Sequence, residues 1–141
     1  MAALDLNTVR ATIEGRLATE LASAPPIPVV FHNMAFSPTP NSSWVQCLTS
    51  FGTNEYLSQG GTSNSQNRVN GVVVINIFTA VGVGPGANYV IGKRIRDLYN
   101  RVNVSGVFFD AATGPEALAS PVPEGYFQTQ VRVTFESIEG L

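Results

Sequence analysis

Three glycines and a proline, in Val81-Gly82-Val83-Gly84-Pro85-Gly86, are where the spacing in this chain of 141 residues comes nearest to a ligand site. Gly82-x-Gly84-x-x-Ala87 lies between a predicted strand and a predicted helix, and Asp110 follows at the end of the next predicted strand. On paper this is a dinucleotide-binding fingerprint: glycines let the backbone approach a pyrophosphate, a helix N-terminus faces it, and an acid bonds a ribose hydroxyl. Three features oppose that reading. Thr79-Ala80-Val81 separate the strand from the first glycine, Pro85 removes a backbone donor, and no further strand–helix units complete a doubly wound sheet. A small dinucleotide-binding enzyme is therefore the minor alternative. A P-loop fails more plainly, because five residues rather than four separate Gly86 from Gly92-Lys93 and Arg94 stands where a hydroxyl must reach magnesium.

Other reactive side chains are isolated. His32 is the single histidine, so no histidine pair exists for a metal, and no G-x-S-x-G motif accompanies it. Cys47 is the single cysteine, which excludes an intrachain disulfide or a cysteine cage. It sits in an apolar run with no neighbour to lower its pKa, as a small core residue would. No catalytic residue, metal ligand or cofactor-binding residue is assigned.

Lys93, Arg94, Arg96 and Arg101 are half of the eight basic residues and cluster on one predicted helix face. Such a face is solvated, with Asp97 four residues from Lys93, or it meets acidic groups of a neighbouring subunit or lies near DNA. Tyr56-Leu57 are apolar anchors in an otherwise polar stretch and are candidates for a partner contact. Gly82, Gly84, Pro85 and Gly86 are assigned a structural role, the reversal from strand to helix.

These residues must be positioned by regular elements. Leu6, Val9, Ile13, Leu17 and Leu21 recur at helical spacing, with Asp5 or Asn7 to cap, and that helix ends before Pro25-Pro26. Val29–Asn33 is a short edge strand between prolines. Trp44–Phe51 is a strand with Val45, Cys47 and Phe51 on one face and Trp44 and Leu48 on the other. The stretch 52–67 is a polar loop or an extended hairpin tip. Val69, Val73, Ile75 and Ile77 then line one face of a central strand, with Asn70 and Asn76 on the other. Ile91, Ile95, Leu98 and Val102 form the apolar stripe of a second helix. Val104–Phe109 is a short strand, with a turn at Asn103 or Ser105-Gly106, and 110–125 a second long loop. In the closing strand Tyr126–Ser137, Phe127, Thr129, Val131, Val133 and Phe135 share one face. The expectation is a single α+β domain over 1–141. One mixed or antiparallel sheet of about five strands would carry two amphipathic helices on one face, in the order α-β-β-β-α-β-β.

Composition narrows the class of partner. Charged residues are 13%, against about a quarter in ordinary soluble proteins. A surface so poor in charge is weakly protected against association and suits coverage by partners. The net charge of −2 gives no general attraction to nucleic acid. No apolar run is long enough to cross a bilayer, and Asp5 and Glu14 replace the basic start of a leader, so a soluble, unprocessed product is expected.

The strand VNGVVVINIFT, the hinge VGVGPGAN, the helix YVIGKRIRDLYN and the closing strand FQTQVRVTFES, after an amphipathic N-terminal helix and a polar loop, resemble the tail terminator proteins of long-tailed bacteriophages. The similarity is to the group related to the minor tail protein U of phage lambda, and 72–96 carries most of it. The resemblance implies a virion subunit of the tail or neck, assembled in the host cytoplasm, with no catalytic residues. It implies a homo-oligomeric, hexameric ring on the head-proximal end of the tail tube. That ring would contact tail tube protein and the head–tail connector or stopper, engage no membrane, and let DNA pass without specific binding.

Overall fold

The computed structural model describes residues 6–22, 26–31, 42–58, 66–82, 84–117 and 126–140; at 53–58, 66–67 and 139–140 it describes the backbone alone. Helix α1 (Leu6–Leu21) precedes β1 (Val29–Phe31), β2 (Trp44–Ser58) and β3 (Gln66–Ala80). Helix α2 (Gly86–Tyr99) follows, then β4 (Asn103–Val104), β5 (Val107–Phe109), β6 (Thr113–Ala117) and β7 (Tyr126–Gly140). The strands form one mixed sheet in the order β1-β2-β3-β7-β5-β4, with β6 also on β7. All pairings are antiparallel except β1 with β2.

The centre is the triplet β2-β3-β7, in which rows of three residues share a face: Val45, Ile77 and Thr129; Cys47, Ile75 and Val131; Thr49, Val73 and Val133. Branched and β-favouring side chains at period two give β3 and β7 their length and place one face on the core. Both helices cover that face. Val9, Ile13, Leu17 and Leu21 of α1 and Ile91, Ile95 and Tyr99 of α2 join these residues in one buried cluster. Leu6, expected on the α1 stripe, is 40% exposed and stands outside the buried cluster that the stripe joins from Val9 onward.

The opposite face is polar in its middle. Asn76 Nδ2 donates to Gln46 Oε1 at 3.1 Å and Gln130 Nε2 donates to Asn76 Oδ1 at 3.1 Å, so three amides bridge the strands. This satisfies Asn76, which is buried although it lies away from the helices. Beside it Trp44 stacks on Phe78, ring centroids 4.1 Å apart, and Tyr126 meets both edge-on.

The α+β class with both helices on one sheet face agrees with expectation, whereas the strand count does not. Among the described residues there are seven strands rather than five, in the order α-β-β-β-α-β-β-β-β. The stretch 104–109 is a hairpin, β4 and β5, turned at Ser105 and Gly106, both at positive φ. Strand β6 lies inside the expected loop 110–125; its sequence TGPEA has no strand pattern, and its order comes from the free edge of β7 at Thr129–Arg132. Of the two expectations for 52–67, the extended hairpin is the one formed: β2 continues to Ser58 and β3 starts at Gln66, with Asn54–Ser58 paired to Val69–Gln66. His32 lies outside the described residues.

Candidate functional site

The hinge is built by backbone conformation. After Ala80, Gly82 and Gly84 hold φ of 90° and 82°, a region open to glycine and strained for other residues. Pro85, at φ −87° and ψ −7°, leads into α2, and its carbonyl accepts from Tyr89 N at 3.0 Å. Gly86 has no positive φ and already belongs to the helix.

Sequence reasoning missed the residue that fixes this junction. Asn88 is fully buried on the first turn of α2. Its Nδ2 donates toward Ile77 O at 3.1 Å, Phe127 O at 3.2 Å and Thr79 Oγ1 at 3.3 Å, and its Oδ1 accepts from the Thr129 hydroxyl. One carboxamide thus ties the helix start to β3 and β7, and its own buried polar atoms are satisfied by them. The available signal was an asparagine three and seven residues before Ile91 and Ile95, on the apolar stripe.

Beside the hinge lies an apolar groove of about 350 Å³ lined by Val81, Gly84, Pro85, Tyr89, Ala117 and Phe127, with no charged side chain. Asp110 is not brought to it. Asp110 N donates to Thr134 O at 2.9 Å and its carboxylate accepts from Thr134 Oγ1 at 2.7 Å. Thr134 is seven residues along β7 from Phe127, about 23 Å of strand. The glycines and the acid of the dinucleotide fingerprint are therefore apart.

The four basic residues of the α2 region separate into different roles. Arg94 reaches α1, with Nε 2.8 Å from Glu20 Oε2 and a second bond to the Glu20 carbonyl. Arg16 returns the contact, donating from Nε to Leu98 O at 3.0 Å and capping the last turn of α2. Lys93 and Arg96 both approach Asp97, at 2.5 and 3.5 Å. The hydrogen bond from Lys93, aided by the charge of Arg96, holds the Asp97 carboxyl below its ordinary range. Arg101 is exposed just past the helix at φ 57°, its amide donating to Asp110 O at 3.0 Å. Tyr56 belongs to β2, opposite Asn67, and Leu57 follows it; both side chains lie outside the described residues.

The remaining reactive groups are sealed. Burial, with Glu14 nearby, pushes the Cys47 thiol up to about 12, so it is a poor nucleophile near neutral pH. Tyr99, also buried, donates from its hydroxyl to Ile13 O at 2.6 Å, joining the two helices, and burial raises its pKa. Among the described residues no three His, Cys, Asp or Glu side chains group to hold a metal, and no helix is long and apolar enough to cross a membrane. What the arrangement offers is surface: a groove, a mixed-charge helix face and long strands.

Comparison with known proteins follows that lead. No curated protein matches the chain. Several solved structures match, among them one that aligns with a TM-score of 0.70 over 95% of this chain and 96% of that one, at 14% identity, a similarity of fold alone. A family model described as phage tail terminator protein matches residues 8–135, nearly the whole sequence, including α1, the central strands, the hinge and α2. The chain therefore belongs to the phage tail terminator family, structural components of the virion tail that work through contacts with other virion proteins.

Proposed function

We propose that this chain caps the head-proximal end of the tail tube as a ring of six copies, stops tube polymerisation there and joins the tail to the head–tail connector. The observation that carries the reading is the family match over residues 8–135. The physical character of the subunit supports it. A cap needs a rigid body with adhesive surfaces and no chemistry, and here the titratable groups of the core are sealed while the surface is poor in charge. The strands β2, β3 and β7, about 50 Å by their length of 15 residues, stiffen that body, and β2, which among the described residues meets β1 only at Val45–Cys47, offers the rest of its outer edge to neighbouring subunits or tube protein. DNA would pass through the ring without specific recognition, since the chain is acidic overall.

Particle images and solution mass of the purified chain, alone and mixed with tail tubes, test the reading. A six-fold ring, formed alone or at tube ends, is expected. A ring that binds connector but never a tube end would assign the chain to head–tail joining, and a monomer in both settings would overturn the ring.

A further inference from the structure

We infer that the exposed face of the first two turns of α2, together with Val81 of the hinge, is a contact that a second copy of this chain covers in head-to-tail fashion. The inference rests on the ring reading and names one of its surfaces. Among the described residues five large apolar side chains are exposed, and three lie here: Val90 at 70%, Val81 at 66% and Tyr89 at 41%. Leu6 and Phe108, the other two, are each about 40% exposed and belong to other elements. The apolar surface continues from the hinge groove past Tyr89 and Val90 to Lys93, Arg94 and Asp97. An apolar centre bordered by charge is how a protein interface is built.

Charge identifies the occupant. Residues 86–99 hold three cations and one anion, +2, whereas the rest of the chain holds five cations and nine anions, −4, which together give the net −2. Counting Glu20, which engages Arg94 from α1, the face still keeps an excess of one cation. A two-fold contact through α2 would set cationic face against cationic face. A head-to-tail contact sets it against the acid-rich remainder of a neighbour, and a repeated head-to-tail contact is what closes a ring. A second copy therefore complements this surface in charge as well as in symmetry.

The test compares the unmodified chain with Lys93→Glu, Val90→Asp and Arg132→Glu, each first shown by thermal melting to be folded. Arg132 is exposed on the opposite sheet face, so its reversal changes net charge as much as that of Lys93 but outside the patch. Solution mass is followed over a concentration series, with and without isolated tail tubes. Lys93→Glu and Val90→Asp should each raise the concentration for half assembly at least about tenfold, while Arg132→Glu leaves it in place. If the unmodified chain forms rings and both patch variants form them at the same concentration, the surface assignment is overturned while the ring survives. An unmodified chain that stays monomeric alone and on tubes overturns the ring itself, and this contact with it.

Discussion

Asn88 Nδ2 lies 3.1 Å from the carbonyl oxygen of Ile77, joining the first turn of one helix to the strand that precedes it. The same amide serves β7 through Phe127 and Thr129, so the hinge between strand and helix is closed by a buried side chain as well as by glycine geometry. Asn88→Ala would take a hydrogen-bond partner from two carbonyls, those of Ile77 and Phe127, and two hydroxyls, those of Thr79 and Thr129, in a dry site. A loss of about 2–4 kcal/mol is expected in equilibrium urea unfolding, since each orphaned group costs about 1–3 kcal/mol and some will find water. A loss under about 0.5 kcal/mol would show that the network is not formed.

Gly84, with φ of 82°, and Gly86, already helical, separate a geometric role from a ligand-binding one. Gly84→Ala should cost about 1–2 kcal/mol by thermal melting, the penalty for a side chain in the left-handed region. Gly86→Ala should be neutral or slightly stabilising, because an added Cβ meets nothing within 4 Å and alanine favours the helix. Equal effects at both positions would contradict the account.

How much of this could be read in advance follows from where the forces lie. Helix α1, β3, α2 and β7 are legible because each buries a stripe of its own side chains at a regular period. Strand β6 is not: Thr113–Ala117 owe their order to hydrogen bonds from β7, which no local pattern announces. Arg94 read as one member of a basic face because its partner Glu20 is 74 residues away. Gly92 entered the sequence reading only through the failed P-loop pattern, yet it is buried, and a Cβ there would come within 2.6 Å of the Pro115 ring of β6. Asn88 was visible only as a polar residue on an apolar stripe.

The Cys47 thiol sets a pH dependence. Its ordinary pKa of 9.0 is raised to about 12 by burial in the fold, so the folded chain keeps the proton where the unfolded chain loses it. The stabilising effect is complete below about pH 9 and is lost as pH rises toward about 12, with Tyr99 acting in the same sense. Unfolding free energy should therefore fall between about pH 9 and pH 12, by at most about 1.4 kcal/mol per pH unit from the thiol. The fall should be shallower in Cys47→Ala. An identical slope in both proteins would contradict the assignment.

Tyr99 and Ile13 join the helices through one hydrogen bond, from the Tyr99 hydroxyl to the Ile13 carbonyl at 2.6 Å. Tyr99→Phe keeps the ring packed against Phe109, whose centroid is 5.0 Å away, and removes only that bond. A loss of about 1 kcal/mol in urea unfolding is expected. An unchanged midpoint would mean that packing and the contacts of Arg94 with Glu20 and Arg16 with Leu98 join α1 to α2 without help from this bond.

Tail length is the most direct measure of the proposed function. In particles assembled without this chain, electron micrographs should show tails that grow past their normal length and fail to join heads, and adding the purified chain during assembly should restore a single length. Tails of normal, uniform length joined to heads in its absence would contradict the proposal that it stops the tube.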